Sequence, residues 1–232
     1  YYSYYTIPVG TFIKQNVIVT VSLRESTAVR DFVRGKVKNF RTDLKTRFLY
    51  QMLYNIAARF LSYLKQIDKA SARIQNELHK STKNKELIQI LDLENSLVYF
   101  ATSLSGNDTV ITRLLSIKNN RFLIAYEEEQ ELLEDVAVET KQAIEMCTIY
   151  RDILSGTMDA YASVISNNQN SIMKALAIIT LMMSIPTLVA SFFGMNTWRP
   201  GGQKVWGFVF AIALSVILVL AVFLVVKKKK LL

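Results

Sequence analysis

Four hydroxyl side chains near the C-terminal end, Thr180, Ser184, Thr187 and Ser191, recur at alternating steps of four and three residues. A 3.5-residue period keeps one seam of a helix turned toward a neighbouring helix, and here that seam is built of neutral oxygen atoms. Just beyond it stands Gly194-Met195-Asn196. Hydroxyl and amide oxygens accept hydrogen bonds from water. They supply neither an activated nucleophile nor a cage of anionic metal ligands. Counting back from Thr180 in the same steps gives Ala177, Met173, Asn170, Ser166, Ser163 and Asp159. Small hydroxyl residues also line ordinary helix–helix contacts in bilayers, and that alternative covers the membrane part of the stripe equally well. Continuation of the stripe into Asn170 and Asp159, beyond the apolar segment, favours a wet axis.

Two membrane helices must position these residues. Ala175 to Phe193 is a 19-residue stretch without a charge, and Val205 to Val226 is a 22-residue one. At 1.5 Å per residue they are about 28 and 33 Å long, enough for a hydrocarbon core of about 30 Å. Lys174 precedes the first and Lys227 to Lys230 follow the second, while the loop between holds Arg199 and Lys204. The positive-inside bias therefore predicts both termini in the cytoplasm. Two spans cannot enclose a channel, so a pore requires a symmetric oligomer with the first span innermost. At the end of that span, Gly194 and Asn196 also suit a left-handed helix cap.

Charge is unevenly distributed. The 232 residues carry a formal net charge of +9. Residues 1–126 hold 19 Lys/Arg against 9 Asp/Glu, residues 127–159 hold 2 against 10, and no acid follows Asp159. The basic half lacks an aromatic-basic motif and scatters its charges among helical apolar positions, which argues for a solvated helical surface and against nucleic acid as a partner. No Gly-rich phosphate loop, nucleophile–base pairing or His/Cys metal cluster is present, so an enzyme is not expected. Cys147 is single and predicted to be a reduced packing residue, and His79 is predicted to lie on the surface.

Upstream, Thr11 to Val21 alternates as two short strands joined at Lys14-Gln15-Asn16. Two strands make no independent sheet, so they are expected to be the edge of a larger α/β domain. The opening "YYSYYTIPVG" has no initiator Met, basic n-region or apolar h-region, which predicts no secretory signal and a numbering that starts inside a longer protein. Helical spacing governs Phe40 to Leu78 and then Glu86 to Leu104, where "SLSGNDT" is expected to stop the second helix of an antiparallel hairpin. From Glu127 the sequence has no strong breaker except Gly156 before the membrane, predicting one continuous helix.

Several stretches together resemble the CorA magnesium channels: "IPTLVASFFGMN", the upstream "YRDILSGTMDAYASVISNNQNSIMKAL", the terminal "KKKKLL", the hairpin "FIKQNVIVTV" and the helix "NIAARFLSYLKQIDKASARIQNEL". The resemblance implies a homopentamer in the inner or plasma membrane that carries Mg²⁺, with Co²⁺ or Ni²⁺ as further cargo. It implies a mainly α membrane protein: a stalk helix continuing into the pore helix, a second transmembrane helix, a helical hairpin and the remnant of a cytoplasmic α/β domain. The implied divisions are 1–38 (α/β part), 39–125 (hairpin), 126–174 (stalk), 175–195 (pore span), 196–204 (external loop), 205–226 (second span) and 227–232 (basic tail).

By the same resemblance Gly194, Met195 and Asn196 form the selectivity filter. Mg²⁺ dehydrates reluctantly, and a ring of Asn196 amides with Gly194 carbonyls would hold it through its waters. Thr187 would form a second polar ring near Pro186, whose missing N–H leaves the Met182 carbonyl without its helical partner. Asn170, Met173, Leu176, Thr180 and Ser184 would line the path further in, with Met173 and Leu176 as the apolar constriction. Asp135 matches a regulatory Mg²⁺ position whose partner acid lies on a neighbouring subunit; apart from the resemblance, Asp159 on the 3.5-residue register would form its own ring. Many relatives carry a loop glutamate, whereas "TWRPGGQK" has none. A zinc transporter on the same scaffold is the alternative, followed by a membrane-anchored helical scaffold without a pore.

Overall fold

The computed structural model describes residues 3–15, 17–80, 84–116, 126–194 and 205–228. Strands β1 (Val9–Lys14) and β2 (Val17–Ser22) pair antiparallel, with Val9 opposite Ser22 and Lys14 opposite Val17. Helices α1 (Thr27–Val33), α2 (Lys45–Lys80), α3 (Asn84–Ser116), α4 (Glu127–Gly194) and α5 (Val205–Lys228) follow. The chain divides into two compact units, Tyr1–Ala160 and Tyr161–Leu232.

In the first unit, α1 ends because Gly35 adopts a φ of 64°, a conformation that costs glycine little. Its N–H donates to the Phe32 carbonyl at 3.1 Å and the Lys36 N–H donates to that of Asp31 at 2.9 Å. This is the paired bonding of a Schellman motif. The buried Asp31 carboxylate accepts from Arg59 of α2, and that guanidinium holds the carboxyl below its ordinary range. Phe40, expected inside a helix, lies before α2 instead. Its ring packs 5.3 Å from Phe32 and 5.4 Å from Phe48, whereas on one continuous helix residues 40 and 48 would stand about 12 Å apart along the axis.

Heptad spacing builds the core. Tyr50, Ala57, Leu64, Ser71 and Leu78 are buried on α2, Ile90, Leu97, Leu104 and Ile111 on α3, and Leu133, Thr140, Cys147 and Leu154 on α4. Each set recurs every seven residues, the pattern of a coiled-coil seam. At one end Tyr50, Ile111, Leu133 and Val136 meet in a single cluster. Further along, the Cys147 thiol donates to the Leu97 carbonyl at 3.1 Å and Gln75 donates to the Thr157 hydroxyl at 3.1 Å.

The expected stop of α3 near Leu104 is overturned: the helix runs on to Ser116. Ser105, Gly106 and Thr109 fall on its exposed face, and the Thr109 hydroxyl donates to the Ser105 carbonyl at 3.0 Å, so the helix takes these residues without burying them. Ile111, one heptad beyond Leu104, gains its burial by keeping the helix intact. Tertiary packing outweighs a local breaker signal of about 1 kcal/mol.

In the second unit, residues 161–194 of α4 and the whole of α5 are helical, and both helices contain a stretch long and apolar enough to cross a membrane. The Phe193 and Phe210 rings sit 6.2 Å apart between them. Much of the apolar surface of both helices is open, including Ile179, Met183, Phe192, Phe208 and Ile217. Such a surface suits hydrocarbon rather than water.

Candidate functional site

Helix α4 carries nearly every candidate residue. Within the first unit, Glu129, Leu133, Val136, Thr140, Ala143, Cys147 and Leu154 are the buried register that faces α2 and α3. Between them runs a second register, at steps of three and four: Glu128, Glu131, Asp135, Val138, Gln142, Glu145, Ile149, Asp152, Gly156 and Asp159. Every member of it is exposed. Counted onward along α4, this register contains Ser163, Ser166, Asn170, Met173, Ala177, Thr180, Ser184, Thr187 and Ser191, and these too are all exposed. Leu176 lies beside the register and is also exposed.

From the sequence alone the register is legible back to Asp159, and resemblance adds Asp135; Glu131, Glu145 and Asp152 share the register and emerge only with the structure. The signal was the same alternation of three and four, continued through an interval with more carboxylates than hydroxyls. Asp152 lies 3.5 Å from Arg151, and Glu128 accepts from Arg47 of α2 at 2.9 Å. Its neighbour Glu129, buried on the opposite register, accepts from the Tyr126 N–H at 3.0 Å and lies 3.8 Å from Arg47. This reach back over the first turn caps α4 in the manner of a capping-box acid. Burial, with the Glu129 charge adding to it, raises the Tyr50 phenol above its ordinary range.

In the apolar segment the hydroxyls bond to their own helix. Thr180 donates to the Leu176 carbonyl at 2.8 Å and Thr187 to that of Met183 at 3.1 Å. Ser184 lies 2.7 Å from the Thr180 carbonyl and 3.1 Å from that of Leu181. Pro186 is accommodated inside the helix. Gly194 is the last residue of α4, and among the described residues a Cβ there would meet nothing within 4 Å beyond its own turn of helix. Met195, Asn196 and the loop to residue 204 lie outside the described residues, as does the His79 side chain. Among the described residues no three His, Cys, Asp or Glu side chains converge to hold a bare metal ion. In the apolar segment, Thr180, Ser184, Thr187 and Ser191 each place one hydroxyl on the exposed register.

The family model described as CorA-like Mg2+ transporter protein matches residues 3–228. The cobalt/magnesium transport protein CorA of Methanocaldococcus jannaschii is 27% identical over 225 residues, covering 93% of this chain and 68% of that protein. Its namesake in Thermotoga maritima is 28% identical over 200 residues, covering 85% of this chain and 55% of that protein. Among solved structures, the complete CorA magnesium transporter from Methanocaldococcus jannaschii superimposes with a TM-score of 0.76 at 22% identity, over 96% of this chain and 75% of that one. The full-length CmaX protein gives 0.73 at 16% identity, over 95% of this chain and 68% of that one. At those identities the structural likenesses speak for the fold. The match along nearly the whole chain speaks for descent: this protein belongs to the CorA-like Mg²⁺ transporter family, a family of membrane ion transporters rather than enzymes.

Proposed function

We propose that this chain forms a passive Mg²⁺ channel, with Co²⁺ as a second cargo, in which α4 lines the path of the hydrated ion. The observation that carries the reading is the exposed register of α4. It runs from carboxylates at Glu131, Asp135, Glu145, Asp152 and Asp159 through Asn170 to the hydroxyls at Thr180, Ser184 and Thr187. A seven-residue repeat held over many turns imposes a left-handed supercoil, as helices wrapped around a common axis require. A homopentamer in the cell membrane with α4 innermost and both termini cytoplasmic accommodates that wrapping. The magnesium and cobalt named for the relatives supply the cargo.

Each part of the register has its role in this scheme. Asn196, with the Gly194 carbonyl and Met195, forms the outer ring that grips Mg²⁺ through its waters. Thr187 and Ser191 continue that ring inward, and Met173 and Leu176 close the path when it dewets. Asp159 concentrates cations on the cytoplasmic side. Asp135 senses cytoplasmic Mg²⁺ between subunits and favours the closed state. Residues 1–38, 39–125 and 126–174 make the cytoplasmic part, 175–195 and 205–226 the spans, 196–204 the outer loop and 227–232 the basic tail.

Ion uptake into liposomes holding the full-length protein tests the proposal. Mg²⁺ should enter down its gradient and Co²⁺ should compete, and Asp135→Ala should weaken closure by Mg²⁺ on the cytoplasmic side. Zn²⁺ uptake that ignores Mg²⁺ would overturn the choice of cargo. An unchanged Mg²⁺ response in Asp135→Ala would remove that residue from the sensor.

A further inference from the structure

We infer that Thr180, Ser184 and Thr187 select cations over anions through the direction of their hydrogen bonds, an inference that rests on the pore assignment above. A hydroxyl has one proton to donate and two lone pairs. Here the proton is already spent. Thr180 gives it to the Leu176 carbonyl at 2.8 Å, Ser184 to the Thr180 carbonyl at 2.7 Å and Thr187 to the Met183 carbonyl at 3.1 Å. Back-donation of this kind is common for hydroxyls in helices. Its consequence along an exposed register is that each oxygen shows its surroundings lone pairs and no proton.

An acceptor-only wall discriminates between hydration shells. Water bound to a cation turns its oxygen inward and its hydrogens outward, so the shell's surface consists of donors. Water bound to an anion turns a hydrogen inward and offers lone pairs outward. The first shell finds a partner at every hydroxyl of the register, and the second finds acceptor against acceptor. A hydrogen bond left unmade is costly where bulk water cannot replace it.

Charge alone cannot supply this preference within the membrane. Residues 161–232 hold seven Lys/Arg and no Asp or Glu, so their summed field favours anions. The carboxylates of the α4 register end at Asp159, outside the apolar segment. A preference for cations at the level of Thr180 to Thr187 therefore has to be short-ranged, and fixed acceptor polarity is short-ranged.

The test uses the full-length protein in liposomes with Thr180→Cys as the reporter. Cationic and anionic methanethiosulfonates of similar size are compared, their rates normalised to a free thiol in solution. The native Cys147 is buried and gives little background. The cationic reagent should be favoured by about tenfold, and the preference should fall toward unity when Ser184→Ala and Thr187→Val are added, since two bonds of about 1 kcal/mol are lost. Those additions leave every charge in place, so an unchanged preference would overturn the inference while the pore assignment stands. Failure of both reagents to react would sink the pore assignment and this inference with it. Ser184→Cys with Thr187→Val alone repeats the measurement with smaller changes, should the triple variant not assemble.

Discussion

Val136 and Val138 stand two residues apart on α4 and belong to opposite registers: Val136 is fully buried beside Tyr50 and Leu133, while Val138 is 65% exposed. The same substitution should therefore have two outcomes. Val136→Ala removes buried methyl groups and should cost the cytoplasmic unit about 2 kcal/mol, from lost transfer energy and the cavity left behind. Val138→Ala should stay within about 0.5 kcal/mol. Urea unfolding of the two variants checks the register, and equal losses would refute it.

The Cys147 thiol is enclosed between α3 and α4, and burial pushes its pKa up from 9.0 to about 11. The thiolate fraction near neutral pH is then about 100-fold below that of an ordinary cysteine. Maleimide labelling of the folded protein should be slower than labelling in denaturant by at least about that factor. The neutral thiol is the favoured form in the fold. Its stabilisation is complete below about pH 9 and is lost as pH rises toward about 11. Thermal unfolding across that interval should show the loss in the native protein and less of it in Cys147→Ala.

Gly106 lies inside α3 with open space where a Cβ would stand. Gly106→Ala should stabilise the hairpin by about 0.5–1 kcal/mol, by restricting the unfolded chain and improving helix propensity. A destabilised Gly106→Ala would indicate that α3 bends or breaks there in solution.

The α3 segment also marks where the sequence misleads. Ser105-Gly106-Asn107-Asp108-Thr109 has the composition of a turn, and no local rule reveals that Ile111 will be buried against Tyr50 and Leu133. Long, strongly periodic features were legible: the two apolar segments, the β1–β2 pairing, the continuity of α4 and its hydroxyl steps from Thr180 to Ser191. Their spacing is a property of the chain alone. The complete seam was harder to see, because Glu131, Glu145 and Asp152 read as ordinary solvated acids until the burial of Leu133, Thr140 and Cys147 defines the opposite register. Spacing predicts Phe40 inside a helix, but its ring is held by Phe32, which spacing within α2 cannot report.

We propose that Asn196, two residues beyond the end of α4, contributes the side-chain amide oxygen of a ring that holds hydrated Mg²⁺. The most direct measurement is Mg²⁺ uptake into liposomes by the full-length protein beside its Asn196→Ala variant, at equal incorporation. The variant should lose at least about tenfold in flux, the equivalent of about 1.4 kcal/mol. Equal flux from the two proteins would contradict it.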